Sequence, residues 1–196
     1  MEPADLLALS RVDKAFRRIL LSEQFSPVWK AACRNKGAPK CPSHLSQVKW
    51  AYLLFGGSAC FSCGSNLGIM RMDFDLLRRA CVRCLKTNLV YSRRFTQLFP
   101  DIDPTIMTLI PHTNIGPHAH EHASNGKYYW ADDIRDMHQE LSTFEKGKRK
   151  LRDGKTENLK DFKAARMALV TQIVEYAPKC KKWFSIISHL KDKFLK

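Results

Sequence analysis

Nowhere in these 196 residues is there an apolar run of the roughly 20 residues that a membrane-spanning helix requires, and the longest, such as Trp50 to Phe55, are far shorter. No secretory h-region opens the chain either: Met1 to Arg11 carries Glu2 and Asp5 and leads into an amphipathic pattern rather than an apolar plug. A cytoplasmic or nuclear protein in reducing surroundings, with no membrane partner, is therefore expected. Also missing are a GxxxxGKS/T or GxGxxG phosphate loop, a GxSxG elbow, and any carboxylate pair whose spacing stands out, so no enzyme is expected. Acidic residues are scarce, with 19 Asp and Glu against 33 Lys and Arg, a formal charge of +14. That excess favours an acidic partner, whether nucleic acid, an acidic protein face or an anionic membrane surface, without choosing among them. Apolar material is not short: 44% of residues are hydrophobic, with four Trp and eleven Phe, enough for the core of one ordinary domain or two small ones.

Seven cysteines are present, an odd number that argues against a pure disulfide framework. Cys60 and Cys63 form one CxxC, Cys81 and Cys84 another, and seventeen residues separate them. In such a pair a tight turn aims two sulfurs at one point, and two pairs close a tetrahedral site for zinc. Gly64 supplies the permissive backbone that the first turn needs. The competing reading is a set of buried or redox thiols, but a thioredoxin-like βαβ setting is absent. Four thiolates leave no open position for water, so a zinc held there is structural. Cys33, Cys41 and Cys180 are expected to be ordinary thiols.

Hydrophobic spacing predicts a mainly α protein. Leu6, Leu9, Val12, Phe16 and Ile19 recur at three- and four-residue steps, predicting one helix over Asp5 to Leu20. Ser26 and Pro27 read as the start of a second, short helix. Gly37 to Pro42 reads as a linker, and Ser46 caps a third helix through Trp50 and Leu54 that Gly56 and Gly57 stop. A zinc knuckle, a hairpin over Met70 to Ala80 and a second CxxC opening a helix come next, with Leu85 to Phe99 mostly helical. Six Pro and Gly residues between Pro100 and Gly126 predict irregular structure. A polar helix runs from Asp132 to about Lys150, Gly154 breaks it, another helix spans about Glu157 to Tyr176, and Pro178 starts the last one.

Pro3-Ala4-Asp5-Leu6-Leu7-Ala8-Leu9-Ser10-Arg11-Val12, Phe16-Arg17 and Trp29-Lys30 resemble the middle and end of an F-box. Further segments are similar to the associated region of fungal, mushroom-type F-box proteins: Cys41-Pro42, Trp50 to Phe55, CxxCG at Cys60 to Gly64, Leu77 to Cys84, Leu109 to Asn114 and Tyr128-Tyr129. The resemblance covers most of residues 3–135. It implies a substrate receptor that docks on the adaptor subunit of an SCF-type cullin ubiquitin ligase and selects a protein for ubiquitination. Leu6, Leu7, Leu9, Val12, Phe16 and Trp29 match the family positions that form the F-box helices and their core, with adaptor contact along the exposed edge. The family's opening Leu-Pro and first amphipathic helix belong ahead of Pro3, so the F-box read here is partial and its adaptor surface is expected to be incomplete. The organisation expected is a partial F-box at 1–35, linker and helix at 36–58, a zinc module at 59–99, an irregular region at 100–131 and C-terminal helices at 132–196.

The alternative is a basic, zinc-containing nucleic-acid binder. Arg78, Arg79 and Arg83 beside the cysteines, and Lys146, Lys148, Arg149, Lys150 and Arg152 further on, are its candidate phosphate contacts. Glu145, Asp153, Glu157 and Asp161 interleave the later group as on an ordinary solvated helix. His118, His120 and His122 alternate, so on a strand they would share a face suited to a transition metal. Proline and glycine flank them, and a solvated loop is expected.

Overall fold

The computed structural model describes residues 1–117, 123–145 and 158–194. Its architecture is mainly α, with eight α-helices and five short strands among the described residues. Two compact units divide the chain, Met1–Asn66 with Pro178–Lys196, and Leu67–Ala177.

In the first unit, α1 (Pro3–Leu9), α2 (Lys14–Leu20), α3 (Ser26–Asn35) and α4 (Gln47–Phe55) surround a core of Leu6, Leu7, Leu20, Trp29, Ala32, Cys33 and Ala51. The single helix expected over Asp5 to Leu20 is two. Asp13 adopts extended backbone and its carboxylate accepts from the N–H groups of Ala15 and Phe16, which starts α2 afresh. Leu6 and Leu7 are therefore buried on α1, whereas residues 14–19 of α2 are exposed and only Leu20 turns inward. Trp29 is fully buried, and its indole N–H donates to the Leu20 carbonyl at 2.7 Å, closing the end of α2 onto α3. Ser46 caps α4 by accepting from the Lys49 N–H at 3.2 Å. Gly56 is the C-cap of that helix, its N–H donating to the Tyr52 carbonyl, and only glycine fits there because a Cβ would lie 2.4 Å from that oxygen; Gly57 continues at φ +87°.

The second unit opens with a hairpin of β1 (Met70–Asp73) and β2 (Arg78–Cys81), followed by α5 (Val82–Asn88). Leu85 to Phe99 is mostly helical, as expected, but not as one helix. The chain turns extended as β3 (Leu89–Tyr91), passes a 3-10 turn and forms only the single turn α6 (Phe95–Leu98). The region expected to be irregular holds β4 (Thr113–Ile115) and β5 (Ala123–Trp130), which complete an antiparallel sheet in the order β3-β5-β4. Register pairs Val90 with Tyr129 and Tyr91 with Tyr128. Val90 and Tyr129 accordingly enter the core with Phe95, Ile106, Ile110, Ile134, Met137 and Phe162, while Tyr91 and Tyr128 stack on each other with ring centroids 5.2 Å apart.

α7 (Ala131–Glu145) starts where the Asp132–Asp133 pair predicts. Its expected extension to Lys150, the break at Gly154, and the basic group at 146, 148, 149, 150 and 152 lie outside the described residues. α8 (Leu159–Phe194) corrects the final expectation: Pro178 does not begin a helix but sits inside one continuous helix. The helix buries Phe162, Ile173, Ala177 and Cys180, while Met167 and Val174 are exposed.

Candidate metal centre

The first cysteine pair lies on a tight turn whose backbone bonds itself. The Gly64 N–H donates to the Cys60 carbonyl at 2.9 Å and the Cys60 N–H to the Ser65 carbonyl at 2.8 Å. Gly64 takes φ +72°, a value that a side chain would resist. Phe61, inside this CxxC, stacks on Tyr52 at 5.0 Å between ring centroids. The second pair sits where strand becomes helix. Cys81 is the last residue of β2, opposite Met70, and also the N-cap of α5. There its Sγ accepts from the Cys84 N–H at 3.5 Å, as a capping oxygen would, which fixes the sulfur's direction. A bond of 3.2 Å from the Val82 N–H to the Ile69 carbonyl pins the hairpin end at the same place.

The four sulfurs lie within 4.8 Å of one another. Four Zn–S bonds of about 2.3 Å directed to tetrahedral corners put neighbouring sulfurs about 3.8 Å apart, so the cluster has the dimensions of a one-metal cage. Cys60, Cys81 and Cys84 are buried and Cys63 is exposed. The donor set is soft and complete, which suits zinc or another thiophilic ion and leaves no vertex for water. Cys33, Cys41 and Cys180 stand outside it, and burial pushes each of these thiols up to about 11, the reverse of what a ligand or nucleophile needs.

The residues matched to the F-box divide by burial. Leu6, Leu7 and Trp29 are core and Leu9 is half-buried, while Val12 is 68% and Phe16 46% exposed. The basic trio proposed for phosphate does not form one surface. The Arg78 guanidinium donates to Asp133 at 2.6 Å and lies 4.5 Å over the Trp130 ring, Arg79 is 6% exposed, and only Arg83 faces solvent. His118, His120 and His122 lie outside the described residues.

Two positions beside the centre are not apparent from the sequence. In Met70-Arg71-Met72-Asp73 the polar residues, not the methionines, take the buried face. The Arg71 guanidinium donates to the carbonyls of Gly116 at 2.6 Å and Ile115 at 3.2 Å. Asp73 accepts from the N–H groups of Asp75 and Leu76, both at 3.0 Å, shaping the hairpin turn. Burial, with the nearby Asp75 charge, raises the Asp73 carboxyl above the usual range, against the lowering effect of the Leu76 N–H, Thr113 and Arg71. Period-2 alternation is the available signal, but it does not say which face is inward.

The chain matches no protein-family model, no curated protein and no solved structure.

Proposed function

We propose that this chain is an F-box-like protein–protein interaction subunit, a substrate receptor of an SCF-type ubiquitin ligase, whose four clustered cysteines hold one structural zinc. The observation that supports docking is the surface of α2. Phe16 and Ile19, three residues apart on α2, and Val12, in the turn just before it, are 46%, 48% and 68% exposed beside a closed Leu6, Leu7 and Trp29 core. Neighbouring apolar side chains left in water on a helix and its entry turn mark a partner surface, and a helix face is a common recognition element. Sequence resemblance names the partner, the ligase adaptor. The thiolate cluster supports a non-catalytic metal: Cys60, Cys63, Cys81 and Cys84 would hold zinc, whose contribution there is folding free energy.

Biolayer interferometry of the full chain on immobilised adaptor tests this reading. Binding is expected, and Val12→Asp with Phe16→Asp should weaken it by about tenfold or more, the cost of losing a small hot spot. Because both residues are exposed, the unfolding midpoint should barely move. No binding, or binding indifferent to both changes, sinks the adaptor reading while leaving the metal centre untouched.

A further inference from the structure

Of the four clustered cysteines, one differs from the rest in its access to solvent. Cys60, Cys81 and Cys84 are 3%, 6% and 7% exposed, whereas Cys63 stands at the surface. Its neighbours Phe61, Ser62 and Gly64 are exposed too, and a Cβ on Gly64 would meet nothing within 4 Å, so the space beside this turn is open. Cys60 and Cys63 share one turn of the first unit, and that turn is held by contacts that need no metal. The Gly64 N–H donates to the Cys60 carbonyl, the Cys60 N–H donates to the Ser65 carbonyl, and the Phe61 ring stacks on Tyr52. Their sulfurs, within 4.8 Å of each other, are in reach of a disulfide bond of about 2.05 Å once no metal spaces them. The thiols outside the cluster contrast with this pair. Burial holds Cys33, Cys41 and Cys180 up at about 11, so they stay protonated near neutral pH, whereas a sulfur that coordinates a metal is a thiolate outright.

We propose that Cys63 is an oxidation site through which a hydroperoxide opens the centre, joining Cys60 and Cys63 in a disulfide and releasing the metal. This rests on the reading of the four cysteines as a zinc site. The Cys63 thiolate attacks one oxygen of hydrogen peroxide; the O–O bond breaks, the sulfur becomes a sulfenic acid, and the departing hydroxide takes a proton from solvent. The Cys60 thiolate then attacks the sulfenic sulfur, forming the S–S bond and expelling a second hydroxide that is protonated in the same way. Two thiolates have given two electrons, and one peroxide has become two waters. Zinc then keeps only Cys81 and Cys84, half of its thiolates, and the folding free energy it supplied is withdrawn. A dithiol reductant cleaves the disulfide by exchange, and the site reloads.

The test uses the full chain, first shown to hold one zinc. Limiting N-ethylmaleimide with peptide mapping should label Cys63 about tenfold or more faster than Cys60, Cys81 or Cys84, because modification follows thiolate exposure. Hydrogen peroxide should release zinc, read with a chromogenic chelator, in step with a Cys60–Cys63 disulfide seen by mass spectrometry. Dithiothreitol with added zinc should restore the metal content. Even labelling of the four cysteines, zinc retained in excess peroxide, or release with a disulfide from Cys63 to Cys81 or Cys84 would overturn the proposal while leaving the metal centre standing. So would first oxidation at any other cysteine. A chain with no zinc at the outset would fail the metal reading itself, and the proposal with it.

Discussion

His112 shows how one side chain ties the second unit to pH. It packs in a tilted arrangement against Tyr129 with ring centroids 5.5 Å apart and is half-buried. Burial, then Lys127, lowers its pKa from the ordinary 6.5, and Asp75 only partly opposes them. The folded state therefore prefers neutral imidazole. Its contribution is fully present above the unfolded pKa of about 6.5 and is lost as pH falls through the lower folded value. Urea unfolding from about pH 7.5 down to about pH 5 should show stability falling, with a shallower fall in His112→Gln. Equal slopes in the two chains would show that His112 titrates as it does in the unfolded state. Arg71 and Asp73 carry the complementary lesson about reading single residues. Their alternation with Met70 and Met72 is plain in the sequence, but which set is buried depends on the Gly116 and Ile115 carbonyls, more than forty residues away.

At the scale of elements, Pro178 carries the sharpest expectation. A proline inside a helix removes one i→i−4 bond and crowds the carbonyl four residues back, here that of Val174, at a cost of about 3 kcal/mol. The residue is exposed, so Pro178→Ala should leave packing alone and raise stability by about 1–3 kcal/mol, read as a higher urea midpoint. A lower midpoint would mean that α8 is not continuous through this position. Helix existence was legible from periodicity because long amphipathic stripes survive local noise, as at Gln47–Phe55 and Leu159 onward. Helix ends were less so. The stripe from Leu6 to Ile19 keeps its phase across residues 10–13, and only Asp13, an N-cap buried in the pattern, records the break. The sheet was missed for a different reason. β3 and β4 are three residues each, too short to show a period, and they pair with β5 across the turn residues that signalled irregularity.

At the scale of the whole molecule, charge and cysteine spacing point to different kinds of function. Part of the positive charge is already committed inside the protein: Arg71 bonds backbone carbonyls, Arg78 a carboxylate, and Arg79 is buried. Such residues give no phosphate track, which is why a basic composition said little about partners. Cysteine spacing said much more, because two residues between ligands is a local constraint that one turn or one helix start satisfies, as at Gly64 and at the N-cap Cys81. Composition alone did not signal which remaining thiols are buried. The central claim is that Cys60, Cys63, Cys81 and Cys84 form one structural zinc centre, and the most direct measurement is native mass spectrometry with elemental analysis of the purified full chain. One zinc per chain is expected, lost together with cooperative unfolding stability on chelation, abolished or weakened by Cys81→Ser and unchanged by Cys180→Ser. A folded chain that carries no zinc, or one whose stability ignores a strong chelator, would contradict it.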